Sequence, residues 1–70
     1  MGAVRIGTAL EARRKRVHRY TWRKMADGTI GPSVTLCGVK CDGWRRVRDE
    51  QWDKPAEDLE RCPACEAKTR

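Results

Sequence analysis

Near its C-terminus the chain reads Cys62-Pro63-Ala64-Cys65, and this C-x-x-C stretch decides how so small a protein can fold. Two cysteine sulfurs at this spacing can hold one tetrahedral zinc ion from a tight turn, whose backbone amides offset the thiolate charge. Pro63 suits such a turn because its ring fixes φ and it has no amide hydrogen to satisfy. A redox role for the motif would need a thioredoxin-like βαβ unit, for which the chain is too short. The motif therefore predicts half of a metal site.

The remaining composition also favours a metal-stabilised fold. The 70 residues contain three Leu, two Ile, five Val and no Phe. So few apolar side chains cannot offset the entropy of ordering the chain, which costs about 1.5 kcal/mol per residue. In a reducing compartment, four cysteines more often bind a metal than form disulfides. We therefore predict one structural Zn²⁺ and expect the metal-free chain to be largely unfolded.

Several classes of protein do not fit this sequence. No run approaches the roughly 20 apolar residues of a membrane span, and the N-terminus lacks the pattern of a secretory signal. We therefore expect a cytoplasmic protein with no membrane partner. So small a body has little interior for a catalytic cleft or a small-molecule substrate. The H-x-E motif of zinc deaminases is also missing at His18, so we expect no enzyme and no catalytic residues.

The N-terminal residues predict a basic helix. Thr8-Ala9-Leu10-Glu11 matches a capping box, and the good helix formers that follow extend the predicted helix to Arg16. We therefore divide the chain into a basic N-terminal arm or helix, residues 1–16, and a single zinc-binding domain, residues 17–70.

The second part of the chain has the pattern of short strands. Alternation in residues 17–22 places His18, Tyr20 and Trp22 on one face of a strand. Residues 33–36 and 44–48 predict two further strands, and turn residues precede each of them. Residues 49–57 are expected to be a loop, 59–61 a short strand, and the residues from Ala64 onward a helical turn.

Three residues compete for the other two ligand positions. Cys37 follows a predicted strand and precedes Gly38, which lets the backbone turn sharply around a metal. Cys41 would complete an all-cysteine site, whereas His18 would give three cysteines and one histidine, because its strand is expected to pair with residues 33–36. Spacing alone leaves His18 and Cys41 equally open as the fourth ligand.

These motifs resemble those of the small zinc-finger proteins of actinobacteria and their phages. The resemblance covers residues 17–66 and rests on Val17-His18, Thr35-Leu36-Cys37-Gly38, Gly43-Trp44 and Cys62-Pro63-Ala64-Cys65. It implies that the zinc ligands are His18, Cys37, Cys62 and Cys65. Cys41 departs from the pattern and keeps the all-cysteine alternative open.

Charge is distributed unevenly along the chain, whose formal net charge is +6. Residues 1–24 contain eight basic groups and one acid, whereas residues 49–70 contain four basic groups and seven acids. Aromatic rings among the cations can stack on bases, so this basic segment predicts a nucleic-acid-binding surface. Its predicted residues are Arg13, Arg14, Lys15, Arg16, Arg19, Tyr20, Trp22 and Arg23.

Taken together, these patterns predict a small zinc-stabilised β-rich (α+β) domain, zinc-ribbon or treble-clef-like, with a short basic N-terminal helix. We expect a nucleic-acid-binding module for DNA or RNA, acting as a bacterial or phage regulatory factor. The alternative is a protein-interaction module that binds a host complex such as RNA polymerase. The acidic segment from Asp49 to Glu60 supports that alternative, because it would repel nucleic acid but suits a basic partner.

Overall fold

A computed structural model of the chain describes residues 4–69. Its elements, in chain order, are β1 (Val4–Glu11), β2 (Arg16–Arg23), β3 (Val34–Thr35), β4 (Arg45–Val47), α1 (Glu50–Asp53), β5 (Glu60–Arg61) and α2 (Pro63–Thr69). The strands form one sheet of order β3-β2-β1-β4, and β5 also pairs with β2. The predicted β-rich class is therefore confirmed. No helix within the described range is long and apolar enough to cross a membrane.

The predicted basic helix over residues 8–16 is wrong, because this stretch supplies most of β1 and a turn. β1 pairs antiparallel with β2 along its whole length, from Val4 opposite Arg23 to Glu11 opposite Arg16. Residues 12–15 form the connecting turn, in which Lys15 has a φ of 52°. The sheet therefore continues across the boundary that the sequence suggested after residue 16.

Thr8 shows how tertiary structure replaces the predicted capping box. Instead of bonding a helix amide, its hydroxyl donates to the Asp49 carboxylate at 3.0 Å. The same hydroxyl accepts a hydrogen bond of 2.7 Å from the Arg19 guanidinium, which also pairs with Asp49 at 3.0 Å. This network ties β1 and β2 to the residue that precedes α1.

Two short strands approach the outer edge of β2 from opposite directions. β3 runs antiparallel beside residues 20–21, and β5 runs parallel beside residues 16–17. The Leu36 amide then bonds the Arg19 carbonyl, and the Cys62 amide bonds the Val17 carbonyl, both at 2.9 Å. Both segments therefore converge on the level of His18, which lies between these two carbonyls in the sequence of β2.

The core is small and rich in sulfur. The buried apolar residues among the described ones are Ala9, Val17, Tyr20, Cys41, Cys62 and Cys65. Trp22 and Trp44 are half-buried and pack against the cluster of Ala9, Tyr20 and Cys41. Since half of this core is cysteine, the fold depends on how those sulfurs are held.

The later elements match most of the sequence predictions. β3, β4 and β5 lie within the three predicted short strands, and α2 contains the predicted helical turn. β2 and β4 share one sheet, with β1 between them. The short helix α1 was not predicted, because residues 49–57 were assigned to a loop.

Candidate metal centre

Four side chains meet where β3 and β5 converge on β2. His18, Cys37, Cys62 and Cys65 each offer one ligand atom, and these atoms lie within 4.8 Å of one another. His18 Nδ1 is 3.7 Å from Cys37 Sγ and 3.5 Å from Cys65 Sγ, and the sulfurs of Cys37 and Cys62 are 4.0 Å apart.

These separations fit tetrahedral coordination. With metal–sulfur bonds of about 2.3 Å and metal–nitrogen bonds of about 2.0–2.1 Å, a tetrahedral ion needs sulfurs about 3.8 Å apart. The corresponding nitrogen–sulfur separation is about 3.6 Å. The three separations given above lie close to these values, so the arrangement of the four side chains is compatible with one metal ion.

Cys37 is presented by a tight knuckle of the backbone. The Thr35 amide bonds the Val39 carbonyl at 2.8 Å, and the Gly38 amide bonds the Thr35 carbonyl at 2.9 Å. Gly38 has a φ of 96°, in the left-handed region that glycine tolerates best. This reversal leaves Cys37 at the tip of the knuckle, and the sharp turn at Gly38 agrees with the sequence prediction.

Cys62 and Cys65 are presented by the junction between β5 and α2. Cys62 directly follows β5, and Pro63 is the first residue of α2, where its missing amide hydrogen is no loss. The Glu66 amide bonds the Cys62 carbonyl at 2.9 Å, which closes the first helical turn. Cys65 therefore lies one turn along the helix and returns to the same centre as Cys62.

The pKa values of two thiols in this centre, Cys65 and Cys37, are shifted in opposite directions. Burial raises the pKa of Cys65, which has no exposed surface, to about 12. Burial also acts to raise the pKa of Cys37, but hydrogen bonds with the Thr35 hydroxyl and with the Cys65 and Cys62 thiols outweigh it and lower the pKa. Three thiolates this close together need a cation between them, which a bound metal would supply.

Glu11 holds the imidazole of His18 from the other side. His18 Nε2 and Glu11 Oε1 are 2.9 Å apart, and a carboxylate can only accept this hydrogen bond. The proton therefore lies on Nε2, and the lone pair of Nδ1 faces the three sulfurs. Carboxylates commonly orient metal-binding histidines in this way. This role was not predicted from the sequence, because the capping-box pattern of Thr8 to Glu11 indicated a helix cap for Glu11.

Cys41, the alternative fourth ligand, lies outside the cluster. After the knuckle the chain runs back beside β3, and the Cys41 amide bonds the Ser33 carbonyl at 3.0 Å. Its side chain is buried against Ala9 and Tyr20. Burial, together with the neighbouring Asp42 carboxylate, raises the pKa of the Cys41 thiol. Cys41 therefore belongs to the apolar core and behaves there as a small hydrophobic residue.

The residues predicted to bind nucleic acid do not form one surface. Arg13, Arg14 and Lys15 are exposed in the turn between β1 and β2, which we call the basic turn (residues 12–15). Trp22 and Arg23 lie at the opposite end of β2, about 23 Å away if each residue rises about 3.3 Å. The guanidinium of Arg5 lies 5.5 Å from the centre of the Trp22 ring.

The three remaining residues of the predicted surface are engaged within the fold. Arg16 pairs with Glu60 at 2.9 Å, and Arg19 pairs with Asp49. Tyr20 is only 5% exposed and packs in the core. Its ring is therefore not available to stack on a base, contrary to the sequence prediction. The strand alternation that placed His18 and Tyr20 on one face was right, but that face is covered.

Comparisons with protein-family models, with curated proteins and with solved structures find no significant match for this chain.

Proposed function

We propose that the chain is a zinc-stabilised module that binds nucleic acid through the basic turn. Zinc is the metal that three thiolates and one imidazole in tetrahedral spacing suit best. Four protein ligands leave no open coordination position for a substrate, so the ion has a structural role. We also propose that the fold is zinc-ribbon or treble-clef-like.

The exposed basic turn is the observation that carries the binding proposal. Arg13, Arg14 and Lys15 are consecutive and exposed, and they project from the connection between the two longest strands. Glu11 joins this turn to the metal centre, since its second carboxylate oxygen lies 3.6 Å from the Arg14 guanidinium. Clustered cations on a rigid support attract phosphates and make binding dependent on salt.

Fluorescence anisotropy with a labelled oligonucleotide tests this proposal. Reversing the charges of Arg13, Arg14 and Lys15 to Glu is expected to weaken binding about tenfold or more. It is also expected to reduce the slope of log affinity against log salt by up to about 3. Reversal of the exposed Lys40, Lys54 and Lys68 changes the net charge equally and serves as the matched control. Equal losses in both variants, or affinity that does not vary with salt, would contradict the proposal.

A second candidate function is binding to a basic protein surface, such as one on a host RNA polymerase. An exposed acidic segment of the chain favours it. Glu50, Asp53, Glu57 and Asp58 are all exposed between β4 and β5. Reversing these four charges should abolish capture of a protein partner that survives nuclease treatment, and should leave or tighten nucleic-acid binding. Asp49 is left unchanged in this variant because it pairs with Arg19.

A further inference from the structure

A groove lies between the basic turn and the start of β4. It is open to solvent and has a volume of about 450 Å³, and its lining includes Leu10 and Trp44 together with Arg13 and Arg45. This volume is in the range of sites that hold small organic groups, roughly 300–1,000 Å³. The groove thus combines an indole ring with cations, and one of those cations belongs to the basic turn.

We infer that this groove binds one base of a single-stranded nucleic acid, stacked on Trp44, with Arg13 and Arg45 contacting the adjoining phosphates. The inference rests on the proposed function and narrows it from nucleic acid in general to unpaired strands. A base can stack on a protein side chain only when its face is free, which duplex pairing prevents.

Trp44 is suited to this role because its ring is held in place. It packs against the core cluster of Ala9, Tyr20 and Cys41, and it meets the His18 ring edge-on with centroids 5.1 Å apart. A ring fixed in this way loses little conformational freedom when a base stacks on it. Its contact with His18 also makes the groove depend on the metal centre.

Charge in the groove favours a phosphate-bearing ligand. Arg13 and Arg45 are exposed, and Arg14 and Lys15 continue the positive charge along the basic turn. Glu11 also lines the groove, but its carboxylate is held by His18 and Arg14. An acidic peptide can also pair with these cations, but a nucleic-acid base adds a flat face that stacks on the indole ring.

The test compares a single-stranded oligonucleotide with the duplex of the same sequence, using zinc-loaded protein. Trp44→Leu is expected to weaken single-strand binding by roughly tenfold and to change duplex binding little, because base stacking on an aromatic ring is lost. Trp52→Leu is the matched control, since Trp52 is half-buried elsewhere, beneath the Arg61 guanidinium. In a chain with Trp22 and Trp52 replaced by Phe, the oligonucleotide is expected to quench Trp44 fluorescence.

A second pair of variants tests the groove without changing Trp44, whose replacement can disturb the fold. Arg45→Glu is expected to weaken single-strand binding more than Arg48→Glu, because both residues are exposed but only Arg45 lines the groove. Metal content of each variant verifies the fold.

The outcomes separate this inference from the function on which it rests. Duplex binding as tight as single-strand binding, or an unchanged affinity in Trp44→Leu, would overturn the groove inference and leave the basic turn as the binding surface. Quenching of Trp44 by polyglutamate but not by the oligonucleotide would overturn it in favour of a peptide site. Binding of neither nucleic acid would overturn both.

Discussion

At the scale of single residues, the hydrogen bond between Glu11 and His18 decides which ring nitrogen faces the sulfurs. Replacing Glu11 by Ala removes the acceptor, so the imidazole can adopt either tautomer and can rotate. We expect metal affinity to fall by roughly 10- to 100-fold, measured by competition with a chromophoric chelator. Glu11→Gln keeps an acceptor without its charge and should lie between Glu11→Ala and the parent. Unchanged affinity in Glu11→Ala would show that the carboxylate does not orient the ligand.

The choice between His18 and Cys41 as fourth ligand is also a question about single residues. We expect His18→Ala to lose tight metal binding and Cys41→Ala to retain one equivalent, because only His18 faces the other three ligands. His18→Cys should restore binding, since a thiolate can occupy the same position. Metal stoichiometry after dialysis measures all three, and loss of metal in Cys41→Ala alone would indicate an all-cysteine site.

The sequence could identify the ligands more readily than it could identify what orients them. Cysteine spacing and the glycine after Cys37 are local signals, and they indicated Cys37, Cys62 and Cys65. The pairing of His18 with Glu11 depends on the register between two strands, which becomes visible only once β1 is recognised as a strand. The burial of Tyr20 could not be predicted from local sequence either, because it depends on which elements of the fold cover that face of β2.

At the scale of elements, strand pairing in β1 outweighs the helix preference of the local capping-box motif. The four residues from Thr8 to Glu11 match a capping box, but an isolated helix of two turns is marginal in water. Val4, Ile6, Thr8 and Leu10 alternate with period two, and this pattern predicts the strand that the structure contains. Eight consecutive pairs with β2 outweigh one capping interaction. The alternation was therefore the better signal, and it began upstream of the motif.

The β1–β2 pair also requires a glycine where the ring of Tyr20 crosses β1. A Cβ atom at Gly7 would lie 2.6 Å from Tyr20 Cζ, and the buried ring has little room to move. We expect Gly7→Ala to destabilise the zinc-loaded protein by about 1–3 kcal/mol in denaturant unfolding. The cost should largely disappear when Tyr20 is replaced by Leu, as a double-mutant cycle would show. Equal costs in both backgrounds would place the strain elsewhere.

At the scale of the whole molecule, the proposed metal would take the place of a conventional core. Three of the six buried apolar residues are cysteines, and Cys62 and Cys65 belong to the metal centre. A structural zinc site contributes roughly 10–16 kcal/mol of apparent binding free energy, as much as the full stability of an ordinary domain. We therefore expect a strong chelator to unfold most of the sheet, as measured by far-ultraviolet circular dichroism. A spectrum that the chelator leaves unchanged would contradict this expectation.

The pH dependence of the whole molecule should identify the ligand set independently. Burial raises the pKa of Cys65 to about 12, so the small folded fraction of the metal-free chain favours the neutral thiol. Its contribution to stability is present below the ordinary thiol pKa and is lost as pH rises towards 12. Metal binding has the opposite sign, because protons compete with the ion and the loaded protein loses stability as pH falls.

The slope of log metal affinity against pH gives the number of protons that metal binding displaces. With three cysteines and one histidine, apparent affinity should fall about 10³-fold per pH unit where only the thiols take up protons, and up to about 10⁴-fold per unit at lower pH, where the imidazole also takes one up. The ordinary pKa of an imidazole lies below that of a thiol, so a change in slope indicates a histidine among the ligands. In His18→Cys the steeper slope should extend across the whole range with no break. Metal retained after dialysis at a series of pH values measures both proteins. An unbroken slope in the parent chain would mean that four thiolates, and not an imidazole, hold the metal.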